Sequence, residues 1–306
     1  MSKDCSNRPK VGGQAVIEGV MMRCGANIAT AVRRKNGEIT TKVESKTPWS
    51  KKNFLFGLPI IRGALNLIEM LSVGVSTLNW SADIAMQDEA EERGEKHEKK
   101  SATWPAMLLG LVLGVGLFVF LPLFVANLFG LEREAFLFNL AAGGLRIAIF
   151  IGYLIAISFL PDVKRLFQYH GAEHKSIFAF ENGEELSIES AQKFRTFHPR
   201  CGTSFILIVA VVAILFFAVA DALLTHLTGI VPNVLERFLF HLALWPLLAG
   251  LCYEVLKLSA ALSDRFRWAR FTVWPGLALQ RISTSEPTDD MVEVAIEALK
   301  KAVGEE

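Results

Sequence analysis

The chain has 306 residues, an apolar content of 52% and a mean hydropathy of +0.36, which is high for an ordinary soluble domain. A net charge of +1 argues against a nucleic-acid-binding protein, which would usually carry a clear basic excess. The 4 cysteines lack CxxC spacing and are too few for a disulfide framework, and the polar N-terminus indicates no cleavable signal peptide.

Residues 1–53 are predicted to form a small cytoplasmic part that is rich in β-structure. Two β-prone runs flank Asn36-Gly37, a dipeptide that is typical of a hairpin turn. The run GGQAVIEGVMMR ahead of them suggests a loop that enters a strand.

Residues 54–84 are predicted to form an amphipathic helix, because polar residues recur at steps of three or four and so share one face. These residues are Arg62, Asn66, Glu69, Ser72, Ser76, Asn79 and Asp83. The favoured arrangement is an interfacial helix lying on the bilayer, and a re-entrant or deeply docked helix is the alternative. A fifth full span is disfavoured because both flanks are rich in Lys and Arg. The charged residues 85–103 indicate a linker.

Residues 104–260 are predicted to form a membrane domain of four transmembrane helices, each long and apolar enough to cross the hydrocarbon core. The predicted spans are 106–128, 136–160, 201–224 and 238–256. Arg146 and Asp221 interrupt these spans and are predicted to form an ion pair that clamps two helices together. His226 and His241 are interpreted as interface or packing residues.

Lys and Arg residues are concentrated in the loop 161–202 and directly after the last span. The positive-inside rule therefore predicts that this loop and both termini are cytoplasmic. Residues 261–306 are predicted to be a cytoplasmic segment that ends in a short helix. The predicted fold class is thus an α-helical integral membrane protein with four transmembrane helices, an amphipathic interfacial or re-entrant helix and a small β-rich N-terminal part.

The run YHGAEHKSI in the cytoplasmic loop carries the strongest chemical signal. His170 and His174 are four residues apart and would share one face of a helix, with Glu173 beside them. This H-x-x-E-H order is the reverse of H-E-x-x-H. In such sites the histidines bind a divalent metal, here favouring Zn²⁺, and the glutamate takes a proton from metal-bound water. The alternative interpretation is a pair of polar histidines at the headgroup surface.

Further candidate ligands follow in FHPRCGTSF, just before the next predicted span. His198 and Cys201 could return to His170 and His174 and complete a closed, structural four-ligand site. If Cys201 instead packs elsewhere, three histidines leave one position open for water. Glu254 is a rival third ligand, and its alternative role is a pair with Lys257.

Five motifs, GGQAVIEGVMMR, GLPIIRG, YHGAEHKSI, HPRCGTSF and LQRISTSEP, resemble those of the YqhQ-like family of bacterial membrane proteins. The family is of unknown function and is often labelled a predicted metal-dependent enzyme. The resemblance covers roughly residues 10–300 and implies an integral protein of the bacterial inner (plasma) membrane. It also adds Gln14, Glu18, Arg23 and Arg62 to the candidate functional residues, with Glu18 as a group that supports the metal ligands.

The sequence thus leaves competing functions. The first is a membrane-embedded metal-dependent hydrolase with Glu173 as its catalytic base, acting on a membrane protein or on a lipid-linked substrate. The second is a non-enzymatic scaffold that a metal stabilises and that binds a cytosolic or membrane protein partner. A metal or small-solute carrier is a weaker third hypothesis, since Arg146 and Asp221 alone offer a polar track. The lipid bilayer is an expected partner and nucleic acid is not, while the oligomeric state stays open.

Overall fold

The computed structural model describes residues 8–94, 103–131, 135–265 and 274–304. Within these ranges the chain forms four strands, β1 Val11–Val16, β2 Gly19–Cys24, β3 Asn27–Arg33 and β4 Ile39–Ser45. The helices are α1 Ile61–Glu92, α2 Thr103–Val115, α3 Leu121–Leu128, α4 Ala135–Ser158, α5 Pro161–Glu181, α6 Ile188–Gln192, α7 Gly202–Thr228, α8 Val234–Arg265, α9 Trp274–Ser283 and α10 Asp289–Val303. A π-helical turn at Gly116–Phe120 connects α2 to α3, and short 3₁₀ turns cover Trp49–Lys51 and Leu55–Gly57.

The N-terminal strands form an antiparallel sheet in the order β1-β2-β3-β4. Asn36-Gly37, where the sequence predicts a hairpin turn, lie between β3 and β4, and Gly37 has a positive φ of 88° that glycine adopts without strain. Side chains alternate between the two faces of the sheet. Along β2, Val20 and Met22 join one buried cluster, whereas Met21 joins another on the opposite face.

One face of the sheet is covered by α5 and α10. Helix α10 is amphipathic, with Met291, Ala295 and Leu299 buried along its inner face. Its first turn is acidic and its last turn is basic, as the helix dipole favours. The N-terminal strands, α5 and the C-terminal helix therefore share one hydrophobic core, although the sequence assigns them to three separate segments.

The other face of the sheet is covered by α1, whose Val73 joins the second buried cluster with Trp80 and Ile84 packed against it. The start of α1 packs against α8. A Cβ atom on Gly63 would lie only 3.0 Å from the Cα atom of Gly250, so glycine at position 63 permits this close approach. Helix α1 thus joins the sheet to α8.

The buried face of α1 is distinct from its polar stripe, whose members other than Glu69 are exposed or partly exposed, so the stripe as a whole does not face the neighbouring helices as the alternative of a docked helix would require. Glu69 is the only member of that stripe that is buried. The buried positions are instead mostly small or uncharged, and they are Gly63, Glu69, Val73, Gly74, Thr77, Ser81 and Asp88. The reason is that small side chains let the sheet and α8 approach the helix closely.

Five helices among the described residues are long and apolar enough to cross a membrane, one more than the four predicted. They are Ile61–Glu92, Leu108–Leu128, Phe136–Ser158, Ile208–Thr228 and Val234–Ser259. Only 11% of the apolar window in Leu108–Leu128 is buried within the protein, so most of its side chains face outward. Such large exposed apolar surfaces are consistent with a multi-pass membrane protein.

A buried polar cluster lies between α4, α7 and α8 at Asp221. The Asp221 carboxylate accepts a hydrogen bond from Asn139 at 2.8 Å, and it lies 2.9 Å from His241 Nε2 and 3.5 Å from Arg237 Nε. The sequence predicts Arg146 as the ion partner of Asp221. The basic side chain within 4 Å of Asp221 is instead Arg237. His241 belongs to this cluster, whereas His226 is exposed.

Candidate metal centre

Helix α5 presents the H-x-x-E-H residues. It begins at Pro161, a favoured residue at a helix N-terminus, and carries Asp162 in its first turn. Its 21 residues replace much of the loop that the sequence predicts at 161–202. His170 and His174 are one turn apart, and their ring centroids lie 4.4 Å from each other.

His170, His174 and Cys201 form a compact group, which we call the His–His–Cys group. One ligand atom from each residue lies within 4.8 Å of the other two. His170 Nε2 is 3.1 Å from Cys201 Sγ. His174 is buried, whereas His170 and Cys201 are partly exposed. Two imidazoles and a thiol are a donor set that suits Zn²⁺.

Each histidine of the group is held from behind by a backbone carbonyl. His170 Nδ1 donates to the carbonyl of Ser283 at 2.8 Å, and His174 Nδ1 donates to the carbonyl of Thr196. This pattern fixes the tautomer in which Nε2 carries the free lone pair, and it is the usual support of metal-binding histidines. The residues present therefore fit a divalent metal.

His198 lies beside the His–His–Cys group but outside it. Its ring centroid is 5.6 Å from that of His174 and 4.5 Å from that of Phe178. Its Nδ1 accepts from the Arg200 amide at 3.3 Å, and its Nε2 is 3.5 Å from Glu181 Oε2. The predicted closed set of four ligands is thus not brought together.

Glu173 is buried at 5% exposure and points to β1. Its carboxylate lies against the backbone of Gly13, where a Cβ atom would be only 2.9 Å from Glu173 Oε1. Burial raises the pKa of Glu173. Glycine at position 13 is therefore what allows the strand to reach this carboxylate.

Glu254 lies away from the His–His–Cys group. Its two carboxylate oxygens accept hydrogen bonds from Arg62 at 2.7 and 2.6 Å, which joins α8 to the start of α1. The structure thus brings together two of the predicted residues, Arg62 and Glu254, in an ion pair between helices. It does not bring Glu254 to the histidines.

The remaining predicted residues connect β1, β2 and their neighbours. Glu18 accepts two hydrogen bonds from Arg165 and one from the Tyr169 hydroxyl at 3.2 Å, so it fixes α5 next to His170. Burial raises the pKa of Tyr169, which keeps its hydroxyl protonated. The other two residues bind α1, because Arg23 pairs with Glu69 at 2.6 Å and Gln14 packs against Gly74.

The groups that position the three histidines were not identified from the sequence. Gln280 binds the His198 amide at 2.8 Å and its carbonyl at 2.9 Å, and the carbonyls of Thr196 and Ser283 hold the two histidines. A backbone carbonyl leaves no side-chain signal in a sequence. The motif LQRISTSEP, which contains Gln280 and Ser283, was the available clue.

Burial lowers the pKa of His198 to about 4 from an ordinary value of 6.5. Between these values the unfolded chain binds a proton that the native protein does not bind, so acidification destabilises the native state. The contribution is fully present above pH 6.5 and is lost as the pH falls toward 4, amounting to about 3 kcal/mol. We expect the melting temperature of the chelator-treated protein to fall more steeply over this range than that of H198Q.

The comparison with H198Q isolates this effect because Glu173, whose raised pKa acts in the opposite direction, is present in both proteins. Replacing the exposed His226 by Gln is the matched control and should leave the pH profile unchanged. Identical profiles for wild type and H198Q would contradict the assignment of the acid sensitivity to His198.

Comparison with known proteins gives a family match without an assigned activity. A family described as "Protein of unknown function (DUF1385)" matches residues 58–305. The chain is similar to the "Uncharacterized protein YqhQ" of Bacillus subtilis (strain 168), with 34% identity over 305 residues that cover 96% of this chain and 92% of that protein. No solved structure matches.

Proposed function

The chain belongs to the DUF1385 family of YqhQ-like proteins, and from its site geometry we propose that it is a metal-dependent hydrolase embedded in the bacterial inner membrane. A divalent metal, Zn²⁺ by preference, would be held by His170, His174 and Cys201. The single observation that carries the proposal is that both histidines are oriented by backbone carbonyls toward the same thiol.

The number of donors favours chemistry over a closed structural site. Structural zinc sites usually have four protein ligands, whereas catalytic sites have three and an open position. His198, the candidate fourth ligand, lies outside the His–His–Cys group, and its Nδ1 accepts a hydrogen bond from the Arg200 amide. Because His170 and Cys201 are partly exposed, water and substrate have access to the group.

The protein's own residues would divide the remaining tasks. When bound, the metal would supply an acidified water with a pKa of about 7. Glu173 would hold a proton on its carboxylate, which packs against the backbone of Gly13. Thr196 and Ser283 would keep the imidazoles fixed, so that little reorganisation is needed. The substrate classes proposed are a peptide bond of a membrane protein and a lipid-linked ester.

The membrane placement is part of the proposal. The excess of Lys and Arg around α5 and after α8 supports cytoplasmic termini and a cytoplasmic site. Since α5 follows α4 directly and α7 begins one residue after Cys201, the His–His–Cys group would lie beside the inner leaflet. A substrate at this depth would be a membrane protein or a lipid.

A metal-stabilised scaffold is the second candidate function. It is favoured by the low exposure of Glu173, at 5%, and by the way the ligands tie α5 to the segment at 196–201. In this alternative the metal would hold the domain formed by the sheet, α5 and α10 against the membrane helices, and that domain would bind a partner protein.

The decisive experiment compares E173Q with H174A in a bacterial host whose own copy has been replaced. If the protein is a hydrolase, E173Q should retain zinc and fold normally. Cells that carry E173Q should nevertheless accumulate the same membrane protein or lipid species as cells that carry H174A, as detected by proteomics and lipidomics of the membranes. Replacing the exposed Glu184 by Gln is the matched control and should behave as wild type. If E173Q membranes match wild type while H174A membranes do not, the scaffold is supported.

A further inference from the structure

The segment between β4 and α1 exposes apolar side chains next to lysines. Phe54 is 82% exposed and Leu55 is 57% exposed. Three lysines, Lys46, Lys51 and Lys52, lie in the same segment. A mixture of large apolar and basic side chains is typical of a surface that meets the headgroup region of a bilayer.

The position of this segment points to the same surface. It leads into α1, whose first turn packs on Gly250 and Tyr253 of α8, a helix apolar enough to cross a membrane. Exposed apolar residues then continue along α1 at steps of seven, three, four and three, and so form one stripe. This α1 stripe consists of Ile61, Ile68, Leu71, Val75 and Leu78.

A cavity of about 420 Å³ opens beside the lysines. Its lining combines two amines with three hydroxyl groups, and the full lining is Ser45, Lys46, Thr47, Trp49, Lys52, Glu69, Ser72 and Val73. Amines and hydroxyls are donors that suit the oxygens of a phosphate.

The charge balance of the cavity is positive. Glu69 is already neutralised, because one carboxylate oxygen accepts from Arg23 at 2.6 Å and the other from the Trp49 amide at 2.7 Å. Lys46 Nζ lies 3.2 Å from Glu44, which leaves it partly paired. Within the described part of the chain, no acidic group lies within 4 Å of Lys52 Nζ. An anion entering the cavity would therefore meet an excess of positive charge.

We propose that this cavity binds the phosphate of an anionic membrane lipid. The phosphate contacts Lys46, Lys52 and the neighbouring hydroxyls, while the acyl chains lie against Phe54, Leu55 and the α1 stripe. The site is independent of the His–His–Cys group, and it anchors the N-terminal end of α1 at the membrane surface.

The test measures lipid binding by the full-length protein after delipidation in detergent, using native mass spectrometry with phosphatidylglycerol and phosphatidylcholine as probes. Each lysine near an anionic surface contributes about 1 kcal/mol, so K46A/K52A should bind phosphatidylglycerol about 30-fold more weakly. Binding of phosphatidylcholine should not change. K46R/K52R, which keeps both charges, should retain the preference for the anionic lipid.

The matched control replaces two exposed lysines outside the segment, Lys193 and Lys301, by Ala and should bind as wild type does. Glycerol 1-phosphate serves as a competitor without acyl chains. Unchanged phosphatidylglycerol binding by K46A/K52A would overturn the proposal. So would competition by glycerol 1-phosphate at concentrations equal to the lipid, because the site would then recognise free phosphate esters.

Discussion

Replacing His174 by Ala is expected to abolish stoichiometric zinc binding and to lower the affinity by at least about 100-fold. His174 is the most buried member of the His–His–Cys group, and its ring is fixed by the Thr196 carbonyl, so the substitution removes a donor that is already oriented toward the group. Structural zinc binding of about 10–16 kcal/mol divides into roughly 3 kcal/mol per ligand, which is the basis of the estimate. Zinc per chain, measured by elemental analysis and by competition with a chelator, checks it.

His198 and Glu254 provide the comparison that decides the ligand set. H198A should keep zinc within about tenfold, because His198 neighbours the group without belonging to it. E254Q should bind zinc as wild type does, because Glu254 pairs with Arg62. A loss of zinc in H198A as large as that in H174A would mean that metal binding draws His198 into a closed four-ligand site.

The histidine spacing was predictable because it depends on helix geometry alone. Residues four apart on a helix share a face whatever surrounds them, so His170 and His174 had to converge once α5 formed. Cys201 was also within reach of prediction, since the chain returns to the next apolar span just after it. The position of His198 was not, because three residues of chain allow many orientations.

The depth of Glu254 along its predicted span does not identify the residue with which it pairs. The sequence indicates roughly how deep Glu254 lies, but not which neighbour it faces around the helix axis. That neighbour is Arg62, which lies 192 residues away in the chain. Long-range pairs of this kind depend on how helices pack, and helix packing is decided by many small contacts rather than by one local pattern.

The fold also has some features that the local sequence predicts and others that depend on contacts between distant segments. The hairpin at Asn36-Gly37 and the terminal helix α10 follow from turn chemistry and from hydrophobic periodicity. The packing of α10 on β2 and β3 cannot be predicted in this way, because beyond an apolar face nothing in either segment specifies the other. The buried face of α1 has no clear sequence signal for a related reason, since it is built largely from the small or uncharged residues Gly63, Gly74, Thr77 and Ser81.

Breaking the polar cluster at Asp221 is expected to destabilise the packing of the apolar helices strongly. Asp221 is fully buried and Arg237 is 1% exposed, and both lie in helices that are apolar enough to cross a membrane. The Arg237 guanidinium also stacks on Phe138, with its central carbon 3.8 Å from the ring centroid. Removing the Asp221 carboxylate would take away an acidic partner that lies 3.5 Å from this buried cation, and breaking a buried pair in this way typically costs about 3–5 kcal/mol.

We therefore expect D221A to lower the thermal stability of the detergent-solubilised protein far more than L223A, which removes an exposed side chain on the same helix. The double variant D221A/R237M should recover much of the loss, because an apolar side chain at position 237 removes the desolvation penalty of the buried guanidinium. The melting temperature of D221N should lie between those of D221A and L223A, since an amide keeps a hydrogen bond to His241 but not the charge. Equal melting temperatures for D221A and L223A would show that the Asp221–Arg237 pair does not hold α7 and α8 together, and the cluster would then have to be explained by a role other than stability.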